Sequence, residues 1–154
     1  MSLMSKVVFQ LLLVVGLALP AFAADGLVTV PSNSNAKQTI DKLEAALKAG
    51  GATIFARVDH AAGAASAGLT LRPTEVLIFG NPKGGTPLMQ SQQSAGIDLP
   101  MKALAWEDAQ GKTWLSYNDP AWIGTRHALA PETAKVIEAL AAGLKGAAAK
   151  ATAP

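Results

Sequence analysis

Residues 59–89, DHAAGAASAGLTLRPTEVLIFGNPKGGTPLM, are punctuated so densely by Gly and Pro that no long helix or strand can run through them. The small-residue run 61–67 reads as a short helix closed by Gly68. Arg72-Pro73 forces an extended or turn entry, because the residue before Pro avoids the helical region. Residues 74–79, TEVLIF, are nearly all apolar after Glu75 and predict a central strand covered on both sides. Asn81-Pro82 then breaks the strand, and Thr86-Pro87 predicts the N-cap and first position of another short helix.

The elements on either side follow from periodicity. GLVTV at residues 26–30 predicts a strand ended by Pro31. Asn35, with Gln38 three positions on, predicts a helix N-cap. Ile40, Leu43, Ala46 and Leu47 form the stripe of a half-buried helix that Gly50-Gly51 ends. Residues 52–60 alternate, which places Ile54, Ala56, Val58 and His60 on one face and Phe55, Arg57 and Asp59 on the other. Residues 101–106 and 112–117 flank Asp108-Ala109-Gln110-Gly111, a hairpin signal. Pro131 opens a last helix whose buried stripe is Val136, Ile137, Leu140 and Leu144, and the Ala/Lys tail 147–154 is expected to fray. This order predicts an α+β domain over residues 24–146: an antiparallel sheet, two main helices on one of its faces, and short helices in the connections.

The N-terminus predicts export. Lys6 precedes an uncharged apolar run over residues 7–19, shorter than the roughly twenty residues a bilayer span needs. Pro20 and the small-x-small pattern Ala21-Phe22-Ala23 give a signal-peptidase site, so residues 1–23 read as a signal peptide and the mature chain as periplasmic or secreted. No Cys is present, which excludes lipid attachment at that site, disulfides and thiolate metal ligation. Thirteen basic side chains stand against eleven acidic ones without clustering, so nucleic acid is not an expected partner. After signal cleavage no membrane association is expected either.

Several motifs together carry a family likeness. They are Gly68-Leu69 with Leu71-Arg72-Pro73-Thr74-Glu75, Ile78-Phe79-Gly80-Asn81-Pro82, Asp98-Leu99-Pro100, and Trp106-Glu107-Asp108 followed by Tyr117 and Pro120. On these the chain resembles domain-of-unknown-function family 302, over essentially its whole mature length. The resemblance implies a β-α-β4-α domain shaped like the TATA-binding protein, and a homodimer. Shape alone does not imply DNA binding. Many relatives of that family carry Cys before Asn-Pro; Gly80 stands there in this chain, so a thiol-based role is absent.

Six residues are candidates for a ligand site: His60, Arg72, Glu75, Asn81, Trp106 and His127. His60 and His127 are the available imidazoles for a metal or haem iron, with Asp59 beside the first, although 67 positions of separation carry no ligand-spacing signature. The commoner role of such His is a polar residue at an element end. Arg72 and Glu75 can pair across the Pro turn or hold an anion, and Asn81-Pro82-Lys83-Gly84-Gly85 can present backbone N–H groups to one. Trp106, Trp114, Trp122 and Tyr117 can wall an apolar pocket or pack as cross-strand pairs. The sequence names no cofactor. It supports a small-ligand or metal binding module first, an enzyme with His60 as general base second, and a ligand-free interaction dimer third. His60 is expected to point to the core side at the end of its strand.

Overall fold

Five alternating segments close into one antiparallel sheet in the computed structural model, which describes residues 26–154. The signal peptide expected over residues 1–23 lies outside the described residues. Strands β1 (Leu27–Pro31), β2 (Thr53–Asp59), β3 (Thr74–Gly80), β4 (Met101–Glu107) and β5 (Thr113–Asn118) are arranged in the order β1-β5-β4-β3-β2. The helices are α1 (Ala36–Ala49), α2 (His60–Ser66), α3 (Pro82–Ser91), α4 (Pro120–Arg126) and α5 (Ala134–Thr152). The expected α+β architecture, with α1 and α5 as the main helices, is the one found.

Helix α1 starts where its cap chemistry places it: the Asn35 side chain accepts the Gln38 N–H at 2.9 Å. Its apolar stripe buries Ile40, Leu43 and Leu47. Gly51 then takes φ +80°, which an L side chain rarely adopts, and turns the chain into β2. The core lies between α1, α5 and one face of the sheet, where Leu77, Phe79, Ala103, Ala105, Leu115 and Tyr117 are buried.

Four local expectations are corrected. First, β3 is covered on one face, not two: its burial alternates, with Glu75, Leu77 and Phe79 inward and Val76 and Ile78 outward. Its apolar outward positions made it look doubly buried. Second, the register of β2 shifts between Ile54 and Ala56. The extra residue turns Arg57 to the helix side, opposite Leu77, and Ala56 and Val58 to the open side, opposite Ile78 and Val76. Third, α3 begins at Pro82, capped by Asn81, and Pro87 lies inside it. Fourth, the tail does not fray. Helix α5 reaches Thr152 with Ala147, Ala148 and Ala151 buried, the Asn33 N–H donates to Thr152 O at 3.1 Å and Lys42 Nζ donates to Ala153 O at 2.8 Å. Helix α4, capped by Asp119, was not anticipated at all.

Candidate functional site

The six candidate residues occupy separate places. His60 is exposed at the first turn of α2, which Asp59 caps by accepting the Ala62 N–H at 2.9 Å. The bulge in β2 removes His60 from the core-side position that simple alternation predicted. Arg72 does not pair with Glu75: its Nε donates to Glu107 O at 3.1 Å. Glu75 is buried, and Arg57 Nε donates to it. Arg57 also donates to Asp41 at 2.6 Å and approaches Glu44 at 3.7 Å. The hydrogen bond to Glu75 raises the Arg57 pKa further, and Arg57 in turn holds the Asp41 carboxyl below its ordinary value. This junction of α1, β2 and β3 was not foreseen, because the expected strand face pointed Arg57 to solvent.

His127 is half-buried, with 8% of its side chain exposed. Its Nε2 donates to Asp98 Oδ2 at 2.6 Å. Nδ1 is hydrogen-bonded to the Ser94 hydroxyl at 3.2 Å. Arg126 reaches the other Asp98 oxygen at 3.2 Å. These contacts tie the end of α4 to the turn before β4. His60 lies near the opposite end of the sheet, since Asp59 pairs with Glu75, which pairs with Ala105. The two imidazoles therefore do not converge, and no group of three or more His, Asp or Glu among the described residues is placed to hold a metal ion. Trp106 Nε1 donates to Ser116 Oγ at 2.9 Å, and its ring stacks on Trp114 at 6.3 Å. Both indoles belong to the sheet face turned away from the helices.

Of the six, Asn81 alone borders the cleft of about 490 Å³. It caps α3 through Lys83 N at 2.9 Å, and its Nδ2 donates to Gly51 O at 3.1 Å. Those bonds fix the corner where β3, α3 and the end of α1 meet. That cleft opens between the sheet end, α1, α3 and α5. Its walls are mostly apolar, including Leu47, Phe79, Met101, Val136 and Leu140. A second hollow of about 320 Å³ continues past Gly80, Asn81, Met101 and Leu140 toward Phe55 and Met89. Gly84 lets α5 come this close, since a Cβ there would lie 3.0 Å from Leu140 Cδ2. The charged residues lining the larger cleft are Lys83 and Lys135, with no carboxylate among them. Neither lysine makes an ion pair among the described residues. Such a site can take a molecule with an apolar body and an anionic end. The lysines were invisible as site residues because the sequence gives no sign that α3 and α5 meet.

Comparison with known proteins places this architecture. The chain is 52% identical over 118 residues to a protein named fluoride-specific ion channel FluC 1 from Brucella suis biovar 1 (strain 1330), covering 77% of this chain and 46% of that protein. A FluC 1 from Brucella abortus biovar 1 (strain 9-941) is likewise 52% identical over 118 residues, covering 77% of this chain and 44% of its own. The chain thus spans less than half the length of these relatives. A crystal structure of an uncharacterized conserved DUF302 protein from Bacillus stearothermophilus superimposes with TM-score 0.73 at 19% identity, over 83% of this chain and 99% of that one. The family described as domain of unknown function DUF302 matches residues 28–147, and the chain belongs to that family.

Proposed function

We propose that this protein is an exported binding module that holds a small molecule with an apolar body and an anionic head in the cleft beside Asn81. The observation that carries it is the cleft itself: about 490 Å³, apolar walls, and Lys83 and Lys135 as its charges. That volume lies within the usual range for small-molecule sites, roughly 300–1,000 Å³. The apolar walls remove ligand surface from water, and the ammonium groups favour one charge sign. Export rests on the signal pattern ending at Ala23. Titration calorimetry with dodecanoate and with dodecyl phosphate tests the binding. Saturable binding is expected, weakened at least about tenfold by Lys83→Glu with Lys135→Glu and blocked by Leu140→Trp. Heat indistinguishable from dilution for both amphiphiles sinks the assignment.

A second role is favoured by the relatives named as fluoride channels. The matched segment is less than half of each, and no helix among the described residues is long and apolar enough to cross a membrane. On that basis the domain type would serve ion transport from outside the pore. Fluoride tolerance of a strain lacking this protein tests that role, and unchanged tolerance rejects it.

A further inference from the structure

Two glycines hold open a space that the backbone does not require of them. Gly80 ends β3, Gly85 lies inside α3, and neither takes a positive φ. Conformation alone would admit a side chain at both positions, and Gly weakens the helix and the strand that contain it. The missing side chains face one place. A Cβ on Gly80 would lie 3.4 Å from Phe55 Cε2 and 3.5 Å from Pro100 Cβ. A Cβ on Gly85 would lie 3.8 Å from Leu99 Cδ1 and 3.9 Å from Met89 Cε. All four of these neighbours line the second hollow, of about 320 Å³. A larger side chain at either glycine would therefore grow into that hollow. Glycine at such a position marks close approach by a ligand or another backbone.

The hollow and the larger cleft differ in charge. Lys83 and Lys135 line the cleft and not the hollow, whose lining side chains are all uncharged. The two spaces share Gly80, Asn81, Met101 and Leu140. At this seam the Asn81 amide is turned to Gly51 O and the Lys83 N–H. The wall between the two is thus an apolar passage. We infer that the hollow is the tail chamber of the cleft, and that the ligand is an unbranched long-chain alkanoate that occupies both. Its carboxylate stays by Lys83 and Lys135 at the exposed mouth. Its far methylenes pass Gly80 and Leu140 and end beside Phe55 and Met89. The inference rests on the cleft reading above and fixes its ligand class. A compact or ringed body confined to the cleft would leave the apolar hollow wet, whereas a flexible chain removes both from water. The hollow alone sits at the low end of the range for small-molecule sites, roughly 300–1,000 Å³, and the two joined reach its upper part. Met89 and Met101, unbranched and adaptable, suit a lining that follows a flexible chain.

Titration calorimetry of the full exported chain with octanoate and dodecanoate tests the inference. Each methylene taken out of water is worth about fourfold in affinity, so wild type should bind dodecanoate at least about tenfold tighter than octanoate. Gly85→Phe fills the hollow and should lower that ratio below about threefold. A wild-type ratio near one, or a Gly85→Phe ratio equal to that of wild type, overturns the tail chamber while octanoate binding leaves the cleft reading standing. Heat of dilution alone from both chains overturns the cleft reading and this inference with it. Should Gly85→Phe fail to fold, dodecanoate carrying a diazirine at its last carbon is photolysed on wild type and the label mapped by peptide mass spectrometry. Label at Phe55, Met89 or Leu99 is expected; label confined to α1 and α5 overturns the inference.

Discussion

Replacing Arg57 by Met should remove a large part of the domain's stability. Arg57 is the shared partner of three carboxylates: buried Glu75, and Asp41 and Glu44 on α1. Deleting one partner of a fully buried ion pair costs about 3–5 kcal/mol, whereas exposed pairs contribute about 0–1 kcal/mol. Side-chain exposures of 27% for Arg57 and 12% for Glu75 put this pair between those limits, nearer the buried one. The Asp41 contact, with that side chain 45% exposed, adds little. The expected loss is therefore about 2–3 kcal/mol, nearly all of it from Glu75 left buried without its cation. With a urea slope of about 1–3 kcal/mol per molar, the unfolding midpoint should fall by about 1–2 M. Met keeps most of the arginine stem's packing, so lost contact area is a minor term. The double variant Arg57→Met, Glu75→Leu should recover most of the loss, because neither charge then remains. A midpoint unchanged in the single variant, or a double variant no better than the single, would refute the reasoning. The pH dependence has a definite sign. The Asp41 pKa is lowered by folding, chiefly through its hydrogen bond from Arg57. Its contribution is present above the unfolded-state pKa and is lost as pH falls through the depressed folded value. Wild type should shed this part in acid, and Arg57→Met should shed only the share that the Lys37 hydrogen bond to Asp41 sustains.

Leu77→Ala should cost about 2–5 kcal/mol by lost burial plus cavity, while Ile78→Ala, on the open face, should cost distinctly less in urea unfolding; equal losses would mean the faces are misassigned. Ala128 follows α4 with φ +49°, a left-handed conformation costing an L-residue roughly 1–2 kcal/mol. Ala128→Gly should raise stability by about 0.5–1 kcal/mol after the unfolded chain's added entropy is counted, and a lowered thermal midpoint contradicts this. Ending the chain at Gly146 deletes buried Ala147, Ala148 and Ala151, and should lower the thermal midpoint by several degrees; an unshifted midpoint would mean the tail is not docked.

The sequence states its periodic parts plainly and its long-range parts poorly. Asn35, the α1 stripe and the Asp108–Gly111 turn each act within a few positions, so the first helix and the β4–β5 hairpin could be read directly. The tail looked frayed because alanines advertise little hydrophobicity, yet small side chains are what let α5 lie close to α1. Phe55 hides a bulge that no alternation rule marks, and it reversed the assignment of every later residue in β2. His127 and Asp98 were both visible as notable residues, but 29 positions separate them. The cleft depends on α3 and α5 meeting over Gly84 and Leu140, a tertiary fact.

The bulge in β2 also bears on solubility. As an outer strand, β2 offers unpaired backbone groups along one side, a template for open-ended stacking of copies. The extra residue at Phe55 kinks this edge, and the inward Arg57 anchors a charge along it. Both are features that discourage edge-to-edge growth. Removing Phe55 would make Ile54 and Ala56 consecutive opposite the consecutive Phe79 and Ile78, so the ladder would run straight while every later residue kept its partner and its face. Arg57 would stay on the helix side with Glu75, but the straightened edge would be open to fibre-like polymerisation. A chain that folds without disulfides has no covalent brake on that route, so a single irregular residue guards it against aggregation.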